Sequence, residues 1–137
     1  MDTTATTVPK VDTRNTVDNK TYKAGDVVRI GVIISEQVTV STAAGTPTLE
    51  LATQAGNNSQ ATYAAISANS SGNDTLFFDY TVAAGDESTD LNYVATSSLA
   101  MGGGVVQDLA GNNLTVTLPN PGDGAAENLA KNSDIVV

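Results

Sequence analysis

The chain contains no histidine, no cysteine and no tryptophan. Without histidine it lacks the side chain that most often moves protons near neutral pH. Without cysteine there is no thiol nucleophile, no disulfide to brace the fold in any compartment, and no soft metal site. Oxygen ligands remain, and these suit calcium or magnesium. Cations are scarce too: six Lys and Arg stand against fifteen Asp and Glu, for a net charge of −9 over 137 residues. So acidic a chain argues against nucleic acid and anionic membrane as partners, since both need a basic surface. No apolar run reaches the ~18–20 residues that span a bilayer, so direct membrane insertion is not expected. Nor is there a signal-peptide pattern at the start. The aromatics are four Tyr and two Phe, a poor supply of stacking platforms for a sugar-cleaving groove.

What the chain does have is Thr, Ser, Asn, Gly and Ala in quantity, and apolar residues at period two. The clearest predicted strand runs over 26–34, with Val28, Ile30, Val32 and Ile34 on one face. Further strands are predicted over 46–52, 61–66, 75–82 and 91–97, and shorter ones over 105–107, 114–118 and 134–137. An opening strand is predicted near 8–11. Gly-, Asn- and Ser-rich breaks separate them at 55–59, 69–74 and 119–124. One helical turn is predicted over 124–130. Many short strands with regular turn signals predict an all-β antiparallel sandwich in a single domain, 1–137, with a linker-like start over 1–7. Met1 ahead of Asp2-Thr-Thr-Ala-Thr6 reads as an addition before a segment cut from something longer.

Three phrases punctuate the pattern: Tyr22-Lys-Ala-Gly-Asp26, Val82-Ala-Ala-Gly-Asp86 and Asp108-Leu-Ala-Gly-Asn112. Each is a glycine turn beside an acidic or amide group, as expected where strands end. If strands alternate up and down, Glu36 lies at one pole of the sandwich and Asp26, Asp86 and Asp90 at the other. The pole of Asp108 is left open. Two candidate calcium sites follow. Glu36, Asp108 and Asn112 could converge on one ion with a backbone carbonyl, and Asp26, Asp86 and Asp90, with Glu87 nearby, could form a second. Asp2 and Asp12 could add ligands at a junction between domains. The plain alternatives are that Asp108 and Asn112 cap their own turn, and that the other acids keep exposed turns soluble.

No sharper signature is present. The segment 108–113 lacks the acidic spacing and distal Glu of a helix–loop–helix calcium site. Met101-Gly-Gly-Gly104 is no phosphate loop, since neither Lys-Ser nor Lys-Thr follows it. Glu36 and Asp108 are the one carboxylate pair that could be weighed as a glycosidase acid and base. With the usual acid–base and nucleophilic groups missing, an enzyme is not expected. Tyr63, Phe77, Tyr80 and Tyr93 fall inside strand patterns and are expected in the core.

Taken in order, the phrases 21–28, Ile34-Ser-Glu-Gln-Val-Thr-Val40, Gly45-Thr-Pro-Thr-Leu-Glu-Leu51, Thr75-Leu-Phe-Phe-Asp-Tyr-Thr-Val82, Asp90-Leu-Asn-Tyr93 and Val116-Thr-Leu-Pro119 join the glycine turns in a pattern that runs nearly end to end. It resembles the bacterial immunoglobulin-like tandem repeats of large surface adhesins, including the biofilm adhesins often exported by type I secretion. The resemblance implies an immunoglobulin-like antiparallel β-sandwich that holds an adhesive tip away from the cell. It implies an extracellular place at the bacterial surface, neighbouring repeats of the same chain as partners, and calcium as the stiffener of the rod. A surface glycan or protein would be met through other domains, and the isolated repeat would be a monomer. The chain departs from the pattern at 15–19 and in the loop 56–60, which reads longer than usual. The rival expectation is a carbohydrate- or peptide-binding module using the loops at 57–60 and 69–74.

Overall fold

A computed structural model describes residues 7–8, 10–13, 20–54, 58–67, 74–88, 90–114, 117–121, 129 and 135–137. It is all-β and sandwich-like. The strands are β1 (Lys10–Thr13), β2 (Lys20–Thr21), β3 (Val27–Ile33), β4 (Val38–Ser41), β5 (Thr48–Glu50), β6 (Gln60–Ser67), β7 (Thr75–Thr81), β8 (Leu99–Ala100), β9 (Val105–Asp108) and β10 (Ile135–Val136). Six form an antiparallel sheet in the order β1-β3-β7-β6-β5-β8; β4 pairs with β9, and β10 with β2. The β10–β2 pair is parallel, a departure from the expected antiparallel pattern.

Period-two alternation explains the layers. Val28, Ile30 and Val32 of β3 stand beside Leu76, Phe78 and Tyr80 of β7 in register, and all six are fully buried. Leu49 and Ala61 continue that inner face, while Val38 and Val106 bring the β4–β9 pair into the same core. On the outer face Arg29 donates twice to Asp79, at 2.8 and 3.1 Å, and its guanidinium lies 5.3 Å over the Phe77 ring. Tyr80 and Tyr93 are core residues as predicted, whereas Tyr63 and Phe77 are only half-buried.

The chain changes sheet twice at one place. The connections β4–β5 and β8–β9 cross side by side, backbone against backbone. A Cβ on Gly45 would fall 1.7 Å from the Gly102 carbonyl oxygen, so only glycine permits the crossing. The Met101–Gly104 run therefore serves close packing.

Two predicted strands differ. Over 91–97 the chain forms no strand, only a bridge from Tyr93 to Leu51. Leu91 and Tyr93 are buried as the alternation required, but local bonds divert the backbone. Tyr93 N–H donates to the Asn92 side chain at 3.0 Å, and Ala95 N–H to Ser98 Oγ at 2.8 Å. Of 114–118, Leu114 lies next to a one-residue bridge at Asn113, Leu118 N–H donates to Thr96 at 2.9 Å, and the residues between lie outside the described set. The departures expected at 15–19 and most of the linker-like start lie outside it too. So does the helical turn, except Leu129, which is helical in conformation and buried.

Candidate functional site

The strand registers and the bonds beside them place Glu36, Asp108, Asn112, Asp26, Asp86 and Asp90 at one of two poles, whereas Asp12 lies within β1 opposite Gly31 of β3, and Asp2 falls outside the described residues. Pairing of Ile33 with Thr75 sets the end of β3 beside the start of β7, which puts Glu36 and Asp74 together. Asp74 N–H donates to the Glu36 carbonyl at 3.4 Å. Pairing of Val38 with Asp108 brings the Asp108–Asn112 turn to the same pole. Thr7 is there as well: its N–H donates to Ser35 Oγ at 2.9 Å, and Ser35 N–H donates to its carbonyl at 3.0 Å. This is the N-terminal pole.

At the other pole Val82 N–H donates to the Asp26 carbonyl at 2.9 Å, so the turns ending in Asp26 and Asp86 lie side by side. Val137 and Ser88 exchange backbone hydrogen bonds of 2.9 and 3.1 Å, which brings the last strand to this C-terminal pole. Asp90, exposed, follows two residues after Ser88, with its N–H donating to Ser88 Oγ at 3.3 Å.

Asp86 is 7% exposed and gathers donors from three parts of the fold. Tyr80 Oη donates to it at 2.6 Å, Ser59 Oγ at 2.8 Å, Gln54 Nε2 at 2.8 Å and Ala83 N–H at 2.9 Å. Burial by itself would raise its pKa. The hydrogen bonds from Tyr80, Ala83, Gln54 and Ser59 more than offset this and hold it down at about 2. The same burial, with Asp86 as acceptor and neighbouring charge, pushes the Tyr80 hydroxyl well above its ordinary range. A carboxylate saturated in this way braces the turn to the core.

Asp108 and Asn112, expected together, are together, and the link is a hydrogen bond. Asp108 Oδ1 accepts from Ala110 N–H and Asn112 N–H, each at 2.9 Å, while Oδ2 accepts from Asn112 Nδ2 at 2.9 Å. That is the arrangement of a self-capped turn. Asp74 does similar work: 3% exposed, it accepts from Val38 N–H at 3.0 Å and fixes the start of β4. Among the described residues no group of three His, Cys, Asp or Glu side chains could hold a metal ion. Both carboxylate oxygens of Asp86 and of Asp108 accept donors from their own domain, as does Oδ2 of Asp74. Among the described residues the fully exposed acids, Glu87 and Asp90, stand at the C-terminal pole, with Asp26 and, at the other pole, Glu36 half-buried.

Sequence reasoning missed Asp74, Gln54 and Ser59. Asp74 stands directly before a strong apolar strand, where an acid that caps a neighbouring chain is a readable signal. Gln54 and Ser59 sit in a polar loop whose partner is 27 to 32 residues away, and no local pattern marks them. No protein-family model, curated protein or solved structure matches this chain.

Proposed function

We propose that this domain is an extender repeat of a large bacterial surface or secreted adhesin, a rigid bead that gives reach outside the cell. One observation carries the reading: Thr7, ahead of β1, lies at one pole, and Val137, after β10, lies at the opposite one. Copies joined end to end would therefore stack along the strand direction rather than fold back on each other. A buried core shared between the sheets, and buried side-chain polar atoms that all have partners among the described residues, suit a part that bears load.

Calcium, in this reading, acts between copies. It would be held by Glu87, Asp90 and Asp26 of one domain with Glu36 of the next, drawing together poles that otherwise repel. The test is small-angle scattering on a chain of two copies, with millimolar calcium and with chelator. A two-domain rod that loosens in chelator is expected. A pair folded side by side would overturn the extender reading, and a rod indifferent to calcium would remove the ion from it. Tight binding of a glycan or peptide by the single domain would favour the binding-module reading instead.

A further inference from the structure

The first and last of the described strands are fastened at opposite poles and in a particular sense. β1 starts at the N-terminal pole, where Lys10 lies opposite Ile33, and runs inward to Thr13 opposite Ile30. Just ahead of it Thr7 is tied to that pole by its two hydrogen bonds with Ser35. Val8 and Val11 are buried in the core. At the other end β10 lies parallel to β2, which leads into the turn Lys23–Asp26 at the C-terminal pole. The last residues are held from two sides. Tyr22 N–H donates to the Val136 carbonyl at 2.7 Å, and Val137 exchanges its bonds of 2.9 and 3.1 Å with Ser88. Val137 also packs against the core.

We infer that these strands form a lock against pulling, in which tension between Thr7 and Val137 loads β1 against β3, and β10 against β2 and Ser88, in shear. The sense of β10 carries the inference. Running parallel to β2, it points out of the C-terminal pole, away from Thr7, so a pull draws each strand lengthwise past its neighbour. Cross-strand hydrogen bonds lie across that direction, square in the β1–β3 ladder and slanted in the parallel pair. Those of one ladder therefore resist together rather than in turn. An antiparallel β10 would bring Val137 back toward the pole of Thr7, and the same pull would peel the strand one bond at a time. Val8 and Val11 must leave the core as β1 slides, which adds apolar burial to the resistance. The lock goes beyond the extender reading: it belongs to the strands of one domain and needs no second copy.

Because the chain has no cysteine, a handle attaches only where one is introduced. Single domains are held at constant force in optical tweezers, with one handle after Val137 and the other on a cysteine. With Thr7→Cys the pull runs from pole to pole, in shear. With Ala24→Cys, exposed on the turn after β2, both handles sit at the C-terminal pole and β10 is peeled from β2. At equal force the Thr7→Cys domain is expected to last at least about tenfold longer, because unfolding under force follows the barrier and shear sets several bonds against it at once. Lys23→Cys gives a second peeling point on the same turn and is expected to behave as Ala24→Cys does. Each variant changes one exposed side chain, a kind of change that moves stability little, so a difference in lifetime reports direction. Equal lifetimes along the two axes, or a longer one under peeling, overturn the lock. They leave the extender reading standing, since that reading is tested by the shape of two linked copies.

Discussion

The turns Lys23–Asp26 and Ala83–Asp86 share the phrase Ala-Gly-Asp and the same internal wiring, yet they differ in what their aspartates hold. In each, the Asp N–H donates to the carbonyl three residues back, at 2.9 and 3.1 Å. In each, its carboxylate accepts from the N–H of that same residue, at 3.0 and 2.9 Å. The glycines match too, with φ of 96° at Gly25 and 91° at Gly85. Beyond that the resemblance stops. Asp26 is half-exposed, whereas Asp86 is buried and also holds Tyr80, Ser59 and Gln54. A short phrase encodes a turn; whether the turn becomes a keystone is decided by strands far away in sequence.

The largest effect that separates the two is expected from truncating the carboxylates. Asp86→Ala strands the Tyr80 hydroxyl, two further side-chain donors and a backbone N–H, and should cost about 3–5 kcal/mol in urea unfolding. Asp26→Ala loses one bond at a half-exposed turn and should cost about 0.5–1.5 kcal/mol. Equal losses would show that the buried network contributes nothing beyond the turn. Tyr80→Phe gives the intermediate case, about 1.5–3 kcal/mol, since it removes a single hydrogen bond to a charged acceptor.

Next in size is acid sensitivity. Asp86 has a folded-state pKa of about 2 against 3.8 unfolded. A depressed carboxylate stabilises the fold above its unfolded value, and the gain is lost as pH falls through the folded one. Stability should therefore drop by about 2 kcal/mol between pH 5 and pH 1 on account of this group alone. Thermal melts across that range should show Asp86→Asn to be less stable at pH 7 but shallower in its acid slope than the parent. Parallel slopes would mean that Asp86 is not the depressed group.

How much of this was legible follows from the range of each interaction. Strands β3, β6, β7 and β9 were readable because alternation is written in neighbouring residues, and the three glycine turns because φ > 0 selects for glycine. The grouping of Glu36 apart from Asp26, Asp86 and Asp90 was readable from strand direction alone. The strand expected over 91–97 failed because Asn92 and Ser98 offer the backbone side-chain partners, which compete with a ladder and leave the alternation of Leu91 and Tyr93 intact. Strand β4 escaped notice because its start is set by Asp74, 36 residues away. The candidate acids were found by type, but which are internal caps and which face solvent depends on contacts of that same long range.

A subtler contrast lies in the glycines. Alanine at either position must adopt a left-handed backbone, at a cost of about 1–2 kcal/mol. A Cβ on Gly25 would meet nothing within 4 Å, while one on Gly85 would press to 3.3 Å from Gln54 Nε2, the atom that donates to Asp86. Gly85→Ala should therefore exceed Gly25→Ala by about 0.5–1.5 kcal/mol, the worth of a weakened hydrogen bond. Combining Gly85→Ala with Gln54→Ala should remove that excess, as expected of residues that share a contact.

The smallest effect on the fold is expected where the proposed function puts the most weight. Glu87 and Asp90 are exposed at the C-terminal pole. Glu87→Gln with Asp90→Asn should leave the single domain's stability within about 0.5 kcal/mol of the parent, as for surface changes generally. In a two-copy chain the same pair of changes, made in the first copy, should abolish the difference in scattering between calcium and chelator. The two measurements separate the inward bracing by Asp86, which acts on the stability of one domain, from the role proposed for the exposed acids beside it, which needs another domain opposite. A double variant that melts like the parent yet keeps its full calcium response would place the ion elsewhere on the pole.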